Sequence, residues 1–305
     1  MPADVRVLGG GVAEAALAPP RPLADFWRAF SENRGAVVGL AVVTVIALIA
    51  ILAPLIAPYS PIEQFRDVTK LPPAIFEGGD WRFPLGTDAV GRDMLSRLMY
   101  GAGVSLFIGL CVMSVSAVIG IALGLAAAFA GGITDVLILR VMDLIMAIPS
   151  LVLAILIVAV LGPGLTNTII AVTVIYLPRY VRLVRASAIT ELRKDYVTAA
   201  KVAGAGPLRI MVSTVLPNCL APLIVQAALG ISDAILEAAG IGFLGFGAQP
   251  PTAEWGSMLA DAREFIQASP WIIALPGIAI LITVLAINVT GDGLRDALDP
   301  RLRRS

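Results

Sequence analysis

Charged residues vanish from this chain for twenty or more positions at a time. Ala36 to Ala57 carries none, and about 22 residues make roughly 33 Å of helix, enough to cross a bilayer core. A signal peptide has a shorter apolar centre, so this run reads as a retained anchor. Leu98 to Thr134 is also charge-free and predicts a second span over Val104–Ala130, ended by Gly131-Gly132. Leu144 to Pro178 is too long for one crossing. The stretch "LGPGLTN", Leu161 to Asn167, punctuates it, because Gly and Pro interrupt helices. Spans are therefore expected near Val136–Val160 and Thr168–Ser187, with a kink at Ala147-Ile148-Pro149-Ser150. A fifth runs from Ile210 to about Glu237, and a sixth from about Trp271 to Gly291. The pattern predicts an all-α integral membrane protein with six transmembrane helices.

Composition agrees. The 305 residues are 58% hydrophobic and only 14% charged, with a mean hydropathy of +0.90. A soluble domain of this size needs more polar surface than that. Positive and negative residues balance at 22 each, so bulk charge offers nothing to a nucleic acid. Histidine is absent, which removes His-based catalysis and His metal ligation. Cys111 and Cys219 both fall in apolar runs and read as small buried hydrophobes rather than a disulfide or a metal pair. No cofactor is expected.

Six spans place both termini on one side, and Lys and Arg choose which. The N-terminal segment holds 4, the Arg179–Arg209 region 7, the C-terminal tail 4, and Arg140 adds one, against 6 on the other side. Excess Lys and Arg mark the cytoplasm, so both termini are expected there. The predicted organisation is a cytoplasmic segment, 1–35, whose Leu23, Phe26, Trp27 and Phe30 share one side of a short helix. That helix fits a membrane-surface element or an ordinary helix beside the membrane. The first span, 36–57, and an external loop, 58–103, come next. A core of five spans, 104–291, follows, with a cytoplasmic loop at 190–216 and a cytoplasmic tail at 292–305.

That cytoplasmic loop contains "DYVTAAKVAGAGPLR", Asp195 to Arg209. Asp195 suits a helix N-cap, Tyr196 to Ala203 is alanine-rich, Gly204 can close the helix in the left-handed region, and Pro207 suits the first turn of the next. The expected result is a short helix, a tight turn and a second helix running to Pro217. Ala199, Ala200 and Ala203 leave a surface into which a partner's groove could close. A plain helical hairpin joining two spans explains the same spacing.

The continuation "TAAKVAGAGPLRIMVSTVLP" resembles the EAA loop of ABC-importer permeases. Thr198-Ala199-Ala200, Gly204 and Thr214-Val215-Leu216-Pro217 occupy the pattern's positions, with Thr198 in place of its Glu and Thr214 in place of its Ile. "LGTDAVGRDMLSRLMYGAGVSL", "RVMDLIMAIPSLVLAI", "LPNCLAPLIVQAALG", "GFLGFGAQPPTAEWGSML" and "GDGLRDALDPRLR" are similar to the C-type permeases of bacterial dipeptide importers, from about Phe26 onward. The resemblance implies a type I ABC importer fold and a heterodimer with a B-type permease. It also implies two cytoplasmic ATPase subunits, an external solute-binding protein and a peptide substrate. It makes Asp195, Thr198, Ala199, Ala200, Gly204 and Pro207 the part that couples to the ATPase. Oligopeptides, nickel chelates and glutathione are the alternative cargoes. The chain itself has no G-x-x-x-x-G-K-[ST] run, so ATP hydrolysis belongs elsewhere.

Within the fifth span, Asn218, Gln226, Asp233 and Glu237 fall at about 0°, 80°, 60° and 100° around a helix. They form one stripe of roughly 29 Å. Intramembrane polar groups usually face a cavity or the bundle interior. The stripe reads as a wall of a translocation path or as polar packing between helices. Pro222 and Gly230 on the same helix allow bending, and Asn288 and Thr290 form a second candidate set. Arg140 and Asp143, three residues apart, are expected to pair. In the external loop, Thr87 or Asp88 is expected to cap an amphipathic helix, with Val90, Met94, Leu95 and Leu98 apolar and Arg92, Asp93 and Arg97 polar. "GIGFLGFG" follows a membrane helix rather than a strand, so it reads as close packing or a re-entrant turn, not a dinucleotide site. Trp255 is expected near a membrane interface. An ion-coupled carrier would want a carboxylate deep in the bilayer, and Asp233 and Glu237 sit near one end. A membrane enzyme would want a nucleophile and base that no motif supplies.

Overall fold

A computed structural model describes residues 22–298. The calls on residues 1–21 and 299–305 lie outside the described residues. Helix α1, Pro22–Glu32, is followed by α2, Arg34–Ile56, and α3, Met94–Ala130. Next come α4, Gly132–Met146, α5, Ser150–Leu161, and α6, Leu165–Leu192. The hairpin is α7, Asp195–Val202, and α8, Pro207–Arg209. A wide π-helical turn, Ile210–Val215, leads into α9, Leu216–Phe243. The chain closes with α10, Trp255–Ala262, and α11, Pro270–Leu298. No β-strand occurs among the described residues, only one isolated antiparallel bridge between Thr87 and Asp93.

Four of the helical runs are long and apolar enough to cross a membrane: α2, α3, the run from Pro207 through α9, and α11. Helices α4 and α5 qualify together but bend by 93° at the break between them. The predicted kink is therefore a sharp corner, because Pro149 cannot donate a backbone hydrogen bond and directs the preceding residue away from helical geometry. The fourth predicted crossing, α6, is 28 residues long. Its apolar part ends at Pro178, and Arg179, Arg182, Arg185 and Glu191 follow, which keeps it out of the apolar set.

Helices α3 and α6 form the centre of the molecule. Their approach depends on Gly120 and Gly124, one turn apart on α3. A Cβ at Gly120 would sit 2.4 Å from the Tyr180 Cβ, and one at Gly124 2.7 Å from the Val184 Cβ. Lipid tails are as apolar as the helices, so association relies on close packing of small residues rather than on hydrophobic expulsion. Tyr180, Val181 and Val184 are completely buried at this seam. The core continues through Val112, Val172 and Cys219. The outward faces of α2 and α11 remain apolar and open, with Leu55 82% and Leu281 64% exposed, as lipid-facing surfaces should be. Helix α1 packs Phe30 against Ala36 and Ala297 and leaves Trp27 open.

The loop between α2 and α3 departs from the predicted capping. Asp93, not Thr87 or Asp88, caps α3, accepting from the Ser96 backbone N–H at 2.8 Å and its hydroxyl at 2.6 Å. The amphipathic helix and the second span are one continuous helix as a result. Burial pushes the Asp93 carboxyl above its ordinary range, while the bonds from Ser96 oppose that shift. Asp88 instead binds Arg92 at 2.5 Å and stands 3.5 Å from Arg97. Arg97 was expected on a polar face but is 1% exposed. Its guanidinium also donates to the Pro61 carbonyl at 3.1 Å, so the charge is balanced inside the loop. In the same loop Tyr59 stacks on Phe83, and Phe65 meets both rings edge-on.

Trp255 is likewise buried rather than interfacial, at 2% exposure, with its indole N–H donating to the Leu98 carbonyl at 3.2 Å. The neighbouring Glu254 caps α10. Its two carboxylate oxygens accept from the Gly256 and Ser257 backbone N–H groups at 2.7 and 2.8 Å. The glycines of "GIGFLGFG" pack closely here: a Cβ on Gly242 would lie 2.9 Å from Glu254 and 3.0 Å from the Gly256 backbone.

Candidate functional site

Two regions carry polar groups that a membrane bundle does not need for its own sake. The first is the hairpin after α6. Val197 is fully buried and Ala200 half-buried against the core, which anchors α7. Asp195, Thr198, Ala199, Gly204 and Pro207 are exposed on its outer side. Gly204 has φ +82°, the left-handed geometry expected of it, and the Ala205 N–H donates to the Ala200 carbonyl at 3.0 Å across the turn. Pro207 opens α8 as expected. Asp195 does not cap α7. The helix begins at Asp195 itself, with Lys194 in the cap position and no side-chain cap bond there. The carboxylate that organises this corner is Glu191, which accepts from Lys194 at 2.6 Å and from the Tyr196 hydroxyl. Burial and that contact push the Tyr196 phenol up to about 12. Val202 and Leu208 project from the hairpin, 85% and 68% exposed.

The second region is the polar stripe. Asn218 and Gln226 line one cleft of about 740 Å³ between α6, α9 and the end of α11. Ser187, Thr190, Glu191 and Arg295 share it. Asn218 also donates to the Thr214 carbonyl at 2.8 Å. Asp233 and Glu237 lie outside that cleft, further along α9. Asp233 pairs with Arg179 of α6 at 3.1 Å, both half-exposed, and Arg179 sits over the Tyr176 ring at 4.9 Å. One Glu237 carboxylate oxygen is buried without a hydrogen-bond partner. The stripe thus divides into an amide end and a charged end. Asn288 joins Ser232 in a hydrogen bond between α11 and α9, and Thr290 folds back onto the Ala286 carbonyl at 2.7 Å. In that second set Asn288 ties α11 to α9, and Thr290 bonds within its own helix.

Three arginines spaced along α6 were not assigned as a set from sequence. Arg179, Arg182 and Arg185 pair with Asp233, Asp143 and Asp135 at 3.1, 2.6 and 2.5 Å. Asp143 therefore binds Arg182 rather than the expected Arg140. The i, i+3, i+6 spacing of arginines was the available signal, and only the fold could show which carboxylates face it. Among the described residues, no group of three or more Cys, Asp or Glu residues could hold a metal ion.

The sequence profile of the binding-protein-dependent transport system inner membrane component matches residues 120–304, from mid-α3 onward. The N-terminal TM domain of oligopeptide transport permease C matches residues 21–73. The chain belongs to the inner membrane components of binding-protein-dependent transport systems. Curated relatives of this permease family share most of its length. The di/tripeptide transport system permease protein DppC of Pseudomonas aeruginosa is 56% identical over 293 residues, 96% of this chain and 97% of that one. The dipeptide transport system permease proteins DppC of Haemophilus influenzae and Escherichia coli are 53% and 55% identical over 94% of this chain, covering 97% and 95% of theirs. Among solved structures, the inward-facing MetNI methionine ABC transporter superposes with a TM-score of 0.56 at 20% identity, over 68% of this chain and 98% of that one. The permease fold is therefore that of a type I ABC importer, and the chain is a multi-pass inner membrane protein.

Proposed function

We propose that this permease subunit carries dipeptides across the inner membrane by alternating access, without catalysing a reaction itself. Relatives named as dipeptide permeases at more than half identity over nearly the whole chain carry this reading. The chain works as a heterodimer with a B-type permease, beside two ABC ATPase subunits and an external solute-binding protein. Both termini face the cytoplasm, and α6 crosses the membrane as the fourth of six spans.

The hairpin is the coupling element. Its exposed outer side, Asp195, Thr198, Ala199, Gly204 and Pro207, together with the projecting Val202 and Leu208, docks in a cleft of one ATPase. Val197 and Ala200 tie α7 to the core. Movement of the ATPases is thereby passed to α6 and α9, which α7 and α8 join. Asn218, Gln226, Asp233 and Glu237 line the path that opens alternately to each side. A cysteine at the exposed Ala199 should crosslink to the partner ATPase. Failure of every position from Asp195 to Arg209 to crosslink would refute the docking.

A further inference from the structure

The charged end of the stripe joins Tyr176 and Arg179 of α6 to Asp233 and Glu237 of α9. Arg179 and Asp233 are each about half-exposed, at 50% and 49%. A hydrocarbon-facing position would make these charges expensive, so such groups line water or another protein surface. Asp233 and Arg179 satisfy each other, but Glu237 does not share in that pair. Its one buried oxygen lacks a partner, which is costly unless a donor arrives from outside the chain. Glu237 stands within electrostatic reach of the Tyr176 hydroxyl, as do Asp233 and Arg179. With all three ionised, the cluster carries one negative charge in excess.

From this geometry we infer that the cluster is a transient station for a zwitterionic peptide. Glu237 receives the α-ammonium, and the open side of the Arg179 guanidinium receives the α-carboxylate. The inference rests on the stripe lining the translocation path. An extended dipeptide spans at most about 7 Å, and Arg179 and Glu237 both lie within electrostatic reach of the one Tyr176 hydroxyl. The Tyr176 ring beneath Arg179 keeps the guanidinium plane in place. A charged ammonium hydrogen-bonded to a partly buried carboxylate is a strong contact. Arg179 also has Asp233 as a competing partner, so the peptide's carboxylate is held less firmly and can leave.

The test uses the intact transporter with its native cysteines, Cys111 and Cys219, replaced by alanine, and Leu236→Cys added. Leu236 is 56% exposed beside the cluster. In the purified complex without binding protein, a water-soluble thiol reagent should label this cysteine. Millimolar dialanine should slow labelling, and N-acetylalanine N-methylamide, which has no charged ends, should not. Absence of labelling in every nucleotide state would refute a water-lined path at this end and the station with it. Labelling that dialanine does not slow, or that the uncharged amide slows equally, would refute the station and leave the path. In proteoliposomes, Glu237→Gln should lower dialanine uptake by about tenfold or more, the size expected when a hydrogen bond loses a charged partner, while ATP hydrolysis is retained. Glu237→Asp should recover part of the uptake. Unchanged uptake in Glu237→Gln would overturn the proposal; should that variant fail to assemble, the labelling result decides.

Discussion

A single methyl group at Gly120 should separate the two central helices. The added Cβ would stand 2.4 Å from the Tyr180 Cβ and 3.3 Å from the Tyr180 and Val181 backbone. Carbon atoms prefer about 3.5–4.0 Å, so α3 and α6 would have to part locally by about 1 Å or more. The obstructing Tyr180 atom lies at the root of its side chain and cannot swing away. Overpacking of this kind costs about 1–3 kcal/mol. Gly103 lies in the same helix and provides the comparison. A Cβ there would meet Ala50 at 3.8 and 3.9 Å, ordinary contact. Gly103→Ala should gain roughly 0.5–1 kcal/mol from helix propensity alone. The two alanine variants should therefore differ by roughly 1.5–4 kcal/mol, or about 2–6 °C in melting temperature. Thermal aggregation of each variant in detergent, followed by size-exclusion chromatography, measures the gap. Equal stability of Gly120→Ala and Gly103→Ala would refute the claim that close glycine packing sets this seam.

Glu254 offers a pH test. Burial raises its carboxyl above the ordinary range of about 4.5. The folded chain then holds this proton more tightly than the unfolded chain, so stability falls as pH rises from about 4.5 to the raised folded value. Glu254→Gln should remove that part of the pH dependence and cost about 1–3 kcal/mol, because its amide nitrogen would face the N–H of Gly256 or Ser257; thermal melts from pH 4 to 7 read both effects. The Arg185–Asp135 pair should behave as a unit. A double-mutant cycle with alanine at each position should show coupling of about 1 kcal/mol, and additive losses would show that the contact carries no weight.

The four long apolar helices were legible because hydrocarbon imposes a length that uncharged runs reveal directly. The hairpin was legible because Gly204 and Pro207 have backbone requirements that few other residues meet. Three features escaped for one shared reason: they depend on partners far apart in sequence. Asp93 outcompeted Asp88 as cap because Arg92 and Arg97 draw Asp88 into the loop. Asp143 chose Arg182 over Arg140 because α6 packs alongside α4. Trp255 is buried because α10 folds against α3, with Leu98 supplying an acceptor for the indole. The polar stripe was visible as a helical period, but its division into an amide cleft and a charged cluster required α6 to be in place.

The half-exposed Arg179–Asp233 bridge bears on how this subunit assembles. A lone copy would present both charges to hydrocarbon and would tend to withdraw or unfold locally at that surface. Pairing with another subunit, or enclosing water, removes the penalty. The bridge therefore favours the assembled permease over the lone subunit, because assembly takes both charges out of contact with hydrocarbon.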